Sequence, residues 1–298
     1  MPLPATFPDL QSLDLFVSVI ELGSVSRAAD AHGITQPSAS SRIKHLERQL
    51  GMRLLDRGPG GSHPTDAGVV VAGWAEGILR AAHELSAGLS AFQAEQTGRL
   101  RITASFTIAE YLLPQWLDRF SRDHPRDSIA LEVANSTAVI DRLRHGAADL
   151  GFIETPSELD GLDQLVVGHD ELVTVVAPSH PWAERGSVPV EALAATPLVM
   201  REAGSGTREA FEAALRALGL GAPTAVLELG STSAVRAAVV HGNAPTVISR
   251  LAVAAEVDGG QLVEIDVPDL VIDRELRAVW PAGTELPTLA RGLLDDLA

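Results

Sequence analysis

Two stretches of this chain carry residues whose types and spacing can do chemistry. The first is "TQPSASSRIKHLE", residues 35–47. On a helix laid into a nucleic-acid groove, Arg42 can donate bidentately to guanine and Gln36 can read adenine. Ser38 and Ser41 can reach bases or phosphates, and Pro37 stiffens and exposes the tip. Arg53 and Arg57, a little further on, suit backbone phosphate. The second stretch is "AGSGTREAFEAAL", residues 203–215. Gly204-Ser205-Gly206-Thr207 runs straight into a helical segment, so free N–H groups and hydroxyls converge on a positive helix end, where an anion is the natural guest. Ser105 and Thr107 follow one apolar strand, and Ser231 and Thr232 follow another. Hydroxyls at strand ends across a cleft make a small polar pocket. The competing reading is that each Ser or Thr only caps its own helix.

Other chemistries find no support. The chain has no cysteine, which removes disulfides, thiolate catalysis and Cys-based zinc sites. Ser205 does not sit in a Gly-x-Ser-x-Gly elbow, "GSGT" lacks the lysine of a P-loop, and His45 has no second ligand at helical spacing. The expectation is a protein without metal or cofactor that is not an enzyme.

The elements that must position these residues follow from periodicity. Leu10, Leu13, Phe16, Val17 and Ile20 form the apolar stripe of a helix ending at Gly23. Ser24 or Ser26 can cap a second helix through Ala31, and Gly33 suits a left-handed stop. Thr35 caps a third helix whose Ala39, Ile43, Leu46 and Leu50 share one face, leaving the polar residues on the other. The tight turn between the second and third helices fits two helices meeting steeply, whether for DNA or only for packing. "RLLDRGPGGSHPTDAG" has the look of a glycine-rich wing closing at Thr65. From there Val71, Trp74, Ile78, Ala81, Leu85, Gly88 and Phe92 repeat at alternating spacings of three and four, the signature of a helix that pairs with another helix. A long helix packed on its own domain has the same pattern. From Arg99 onward, short apolar strands such as "LRITAS", "DLGFIE" and "PTVISR" alternate with helices, which implies a largely parallel sheet in two α/β lobes.

Charge agrees with a division of labour. The net charge is −16, yet residues 1–64 hold six Lys and Arg against six Asp and Glu, and residues 27–57 hold six against three. The acidic excess lies entirely in the rest of the chain, so one module can meet a polyanion and the others stay off it. "MPLPATFPDL" shows neither a basic nor an apolar leader region, and no apolar run reaches the roughly 20 residues of a membrane span, so a cytoplasmic location without membrane contact is expected.

In this order the parts resemble LysR-type transcriptional regulators over essentially the whole chain. "FVSVIELGSVSRAADAHGITQPSASSRIKHLERQLGMRLLDR" matches the family's winged helix-turn-helix, "TDAG" opens its linker helix, and "RLRITASFTIAEYLLP" and "DRLRHGAADLGFIE" match its effector domain. "REAGSGTREAFEAAL" is similar to the anion-responsive subgroup linked to sulfur metabolism and carbon fixation. The resemblance implies an all-α winged helix-turn-helix at 1–64, a linker and dimerisation helix at 65–96, and a two-lobed effector domain of the periplasmic-binding-protein type at 97–298. Lobe I would comprise 97–170 and 274–298, lobe II 171–273, with crossings near Val175 and Arg274. It implies promoter DNA with an inverted repeat, a dimer or tetramer, a small anionic effector, and RNA polymerase as a further partner. A two-fold dimer would use Val71, Trp74, Ile78, Leu85 and Phe92. Glu154 matches a cleft position in the family, where its charge would repel an anion unless it pairs with Arg201. The chain departs from the family at "HGNAPTVISR", where Ala244 and Pro245 replace a glycine and its neighbour. The two-lobed half alone would also suit a solute-binding protein, and the whole a ligand-free DNA-associating protein.

Overall fold

A computed structural model describes residues 4, 7–58, 61–97, 99–242 and 244–297, and the chain divides into two compact units, Met1–Leu85 and Ser86–Ala298. In the first unit, α1 (Leu10–Leu22) is capped by Asp9, whose carboxylate accepts from the Ser12 N–H and Oγ at 2.9 and 2.7 Å, and α1 ends at Gly23 with φ +63°. Ser24 caps α2 (Val25–Ala31), and Thr35 caps α3 (Gln36–Leu50) with Pro37 in its first turn. Gly33 between them has φ +62°, a conformation other residues adopt only at a cost. Phe16, Ala28, Ile43 and Leu46 are buried together, joined by Leu54 and Leu55.

The hairpin of β1 (Leu55–Gly58) and β2 (Gly61–Pro64) is antiparallel, with Leu55 opposite Pro64. Its tip, Pro59 and Gly60, lies outside the described residues. The Ser62 N–H donates to the Gly23 carbonyl at 3.1 Å, and a Cβ on Gly61 would stand 2.6 Å from that same oxygen. Only glycine lets the wing lie this close to the end of α1.

The long helix α4 (Asp66–Thr97) begins where Thr65 Oγ1 accepts from the Gly68 N–H at 3.0 Å. Its 3.5-residue row splits. Val71 is buried and Ile78 half-buried in the core of the first unit, whereas Trp74, Leu85 and Phe92 are 68%, 66% and 59% exposed. Val71 and Ile78 therefore serve packing within the unit, contrary to the expectation that the whole row pairs with another helix. A row of period 3.5 is satisfied equally by the helix's own core, and the first three turns find theirs there.

The second unit opens with β3 (Arg99–Ala104), α5 (Phe106–Tyr111), α6 (Leu113–Asp123), β4 (Ser128–Val133), α7 (Ser136–Arg144) and β5 (Leu150–Ile153). β3 pairs in parallel with both β4 and β5, so the strand ends carrying Ser105, Asn135 and Glu154 share one edge. The chain then leaves along β6 (Leu162–Val176). It builds a second lobe from α8 (Pro181–Arg185), α9 (Val190–Ala195), β7 (Leu198–Arg201), α10 (Gly206–Ala217), β8 (Ala225–Leu229), α11 (Thr232–His241), β9 (Thr246–Ser249), α12 (Arg250–Asp258) and β10 (Val263–Ile265). It returns along β11 (Ile272–Pro281) and closes with α13 (Thr288–Asp295).

β6 and β11 run antiparallel from Leu172–Ile272 to Leu162–Pro281, with a register shift between Leu276 and Arg277. β5 also meets β11 antiparallel, and β9 and β10 meet β6 in the same sense. The sheet is thus mixed rather than largely parallel, because a chain that goes out to a second lobe and comes back must traverse the junction in both directions. Asp170 lies opposite Arg274, while Val175 already pairs with Thr246 and Glu264 inside the second lobe. At "HGNAPTVISR" the Pro245 carbonyl accepts from the Val199 N–H at 2.9 Å and leads directly into β9, while Asn243 lies outside the described residues.

Candidate functional site

On α3, burial of Ala39, Ile43 and Leu46 turns Gln36, Pro37, Ser38, Ser41, Lys44, His45 and Arg48 to solvent and leaves Arg42 half-buried. The helix tip is ordered locally: Thr35 Oγ1 donates to Ser38 Oγ at 3.0 Å, and Gln36 Nε2 donates to Ser40 Oγ at 3.0 Å. The Glu47 carboxylate accepts from the Leu54 and Leu55 N–H groups at 2.9 and 3.2 Å, which ties the wing strand to the base of α3. Ser41, Lys44, Arg48 and Arg53 line one hollow of about 610 Å³ beside it. Arg53 lies 3.4 Å from Asp56, both largely exposed. The side chain of Arg57 lies outside the described residues. Asp9 sits within electrostatic reach of Arg42. Burial pushes its carboxyl up, but hydrogen bonds from Ser12 and the Arg42 charge hold it below the usual value.

The second unit brings together most of the residues expected around a cleft. Ser105, Thr107, Glu154, Arg201, Ser205, Thr207 and Thr232 are all buried, and Ser136 joins them. Their roles divide sharply. Ser231 accepts from the Ala234 N–H and caps α11, and Thr232 accepts from Arg201 Nη1 at 2.9 Å. Thr107 and Thr207 both accept from Arg274, at 3.3 and 3.0 Å, so one guanidinium joins the first lobe to the second. The hydroxyls of Ser105, Ser136 and Ser205 are buried and have no partner. Ser105 and Ser205 occupy N-cap positions of α5 and α10 without making the capping bond.

The N-termini of α7 and α10 face each other. The Thr137 N–H donates to the Gly204 carbonyl at 3.1 Å, and a Cβ on Gly206 would stand 2.8 Å from Ser136 Oγ. Two positive helix ends, each carrying an orphaned hydroxyl, therefore meet at one place, an arrangement that an anion would neutralise.

Glu154 does not pair with Arg201. Arg201 donates to Glu202 from Nε and Nη2 at 2.8 and 3.0 Å and stacks over Phe106, 4.7 Å from the ring centroid. Glu154 directly follows β5, which lies beside β11 rather than beside the β7 strand that carries Arg201, and its Oε1 stands 3.7 Å from Arg274 Nη1. Sequence reasoning also missed Ser136 and Arg274 as cleft residues. The "NST" start of a helix after a strand was a usable signal for the former, whereas Arg274 meets its partners only through contacts distant in sequence, Asp170 by strand register and Thr107 and Thr207 from the starts of α5 and α10. Among the described residues no cluster of three or more His, Cys, Asp or Glu could hold a metal ion, and no helix is long and apolar enough to cross a membrane.

Comparison with known proteins gives these sites a context. Residues 10–69 match the family described as bacterial regulatory helix-turn-helix protein, lysR family, and residues 93–298 match the LysR substrate binding domain. The HTH-type transcriptional regulator Rv2282c of Mycobacterium tuberculosis is 44% identical, over 100% of this chain and 97% of its own. The HTH-type transcriptional activator CmpR of Synechocystis sp. PCC 6803 is 28% identical over 97% and 94%. The CcmR regulatory domain of Synechocystis PCC6803, solved in complex with 2-PG, is 28% identical with a TM-score of 0.61, over 67% of this chain and 95% of that domain.

Proposed function

This chain belongs to the LysR family of helix-turn-helix transcriptional regulators, and from that premise we propose how it reads DNA and senses a small molecule. It binds a double-stranded promoter site with imperfect two-fold symmetry, as a dimer or a tetramer built on dimers. The N-terminal half of α3 enters the major groove, where Gln36, Ser38 and Arg42 meet base edges. Ser41, Lys44, Arg48, Arg53 and Arg57 meet phosphate, which makes affinity fall steeply with salt. Trp74, Leu85 and Phe92 form the seam between protomers, and RNA polymerase is engaged at the bound promoter.

The effector is a small anion held between the lobes by Ser105, Ser136 and Ser205. What carries this reading is that these three buried hydroxyls have no protein partner, two of them where α7 and α10 present their N-termini. A buried hydroxyl without a partner costs about 1–3 kcal/mol, which a ligand oxygen would recover. The CcmR domain solved with 2-PG supports the same expectation by similarity.

Footprinting on the region upstream of its own gene, at two salt concentrations, tests the DNA half. A salt-sensitive protected inverted repeat is expected, and its absence would remove this reading. For the ligand half, small phosphorylated and sulfur oxyanions are screened by thermal shift on the wild type and on Ser136→Ala/Ser205→Ala. A shift in the wild type that the double variant lacks, with DNA affinity unchanged, is the expected result. An equal shift in both would place the anion elsewhere.

A further inference from the structure

A pocket of about 330 Å³ opens where β11, α10 and the segment following β5 meet. Its walls include Glu154, Ala210, Ala214, Val271, Arg274 and Arg277, and none of the three orphaned serines. The two arginines in it are treated very differently. Arg274 has Asp170 at 2.6 Å as its counter-ion. Arg277 is only 8% exposed, yet its guanidinium meets neutral groups alone: Gln164 Oε1 at 2.8 Å and the carbonyls of Thr155 and Ser157. Its Nε has no partner. Burial pulls this guanidinium below its ordinary basicity, opposed only by the neighbouring charge of Glu275.

The same pocket contains the complementary defect. Glu154 is 2% exposed, its Oε1 is beyond hydrogen-bond length from Arg274, and its Oε2 has no partner. A buried cation with no carboxylate in ion-pair contact and a buried carboxylate with a vacant oxygen are both expensive, and each asks for a group of opposite charge. The exposed carboxylates of Asp273 and Glu275 stand at the wall and disfavour a purely anionic guest. Ala210 and Ala214 add a small apolar surface. The volume lies at the low end of small-molecule sites, roughly 300–1,000 Å³, which suits a short molecule.

We propose that this pocket is a second ligand site, separate from the serine-lined cleft, that takes a small zwitterion of the amino-acid type, carboxylate on Arg277 and ammonium on Glu154. Its location gives it a route to the rest of the protein. Glu154 and Arg274 are shared with the junction between the lobes, so a guest that draws Glu154 away from Arg274 alters the contacts Arg274 makes with Thr107 and Thr207.

The test is calorimetry on the full chain with glycine, L-alanine, L-serine and L-glutamine, and with acetate and ethylamine as the matched half-molecules. At least one amino acid is expected to bind saturably and at least tenfold more tightly than either half-molecule. Arg277→Gln should abolish that binding, and so should Ala214→Leu, which fills the pocket without touching its charges. Ser205→Ala should retain it. The circular dichroism and thermal unfolding of the effector half verify that each variant is folded, and Ala214→Leu decides the matter if Arg277→Gln does not fold. The proposal is overturned if no amino acid binds or if binding survives Ala214→Leu. It is equally overturned if Ser205→Ala removes binding or if acetate binds as well as the amino acids.

Discussion

Arg274 donates from Nε and Nη2 to a single oxygen of Asp170, at 2.9 and 2.6 Å, across the paired strands β11 and β6. The other Asp170 oxygen accepts from Ser249 Oγ at 3.0 Å, and Arg274 reaches on to Thr107 and Thr207. Both side chains are almost fully buried. Removing the carboxylate leaves a cation in a low-dielectric site, so Asp170→Ala should cost about 3–5 kcal/mol in urea unfolding of the effector half. Asp170→Leu combined with Arg274→Met removes both charges and should cost distinctly less. Equal losses in the single and double variants would show that the unpaired Arg274 cation is not what makes Asp170→Ala costly.

Arg42→Ala should weaken binding to the specific site by about 1–3 kcal/mol and relax preference at one base position. Competition titrations with single-base operator variants read this directly. A uniform loss over all sequences, with the salt slope reduced by about one, would make Arg42 a phosphate contact instead.

Leu85→Glu should separate protomers. Burying a leucine contributes about 1.5–3 kcal/mol, so losing it from the proposed seam should weaken association by roughly 10- to 100-fold, read by sedimentation. The matching change at Val71 should lower stability, because Val71 is buried in the first unit's own core.

Much of this was legible in the sequence, and the residues say why. Ser24, Thr35, Pro37, Gly23 and Gly33 act through bonds to near neighbours, so the boundaries of α1 to α3 follow from local chemistry. The alternating strands and helices from Arg99 onward announced α/β lobes for the same reason. Arg274 is different: Asp170, Thr107 and Thr207 lie 104, 167 and 67 residues away, Asp170 brought opposite by the antiparallel register of β6 and β11 and the two threonines by the first turns of α5 and α10. The misassigned partner of Glu154 has the same origin. Periodicity likewise could not divide the α4 row, since it records that a face is buried and not against what.

Acid should weaken the second lobe through Glu202. Burial raises its carboxyl, but hydrogen bonds and charge from Arg201 outweigh that and hold it below the ordinary 4.5. A carboxyl depressed on folding contributes stability that is fully present above the ordinary value and is lost as pH falls through the folded one. The melting temperature of the wild type should therefore exceed that of Glu202→Gln at neutral pH, with the gap closing below about pH 4. A gap that stays constant down to pH 3 would show that the difference does not come from ionisation of Glu202.

Gly206 sets how near the two lobes can come. A single methyl there would stand 2.8 Å from Ser136 Oγ and 2.9 Å from the backbone at Glu154 and Thr155, which are contacts that matter cannot share. The residue works as the missing thickness of a shim: with hydrogen in place the lobes touch, and with alanine they are propped ajar. One hydrogen atom is thus the whole clearance of the joint, and Gly206→Ala would hold it open whether or not a ligand is bound.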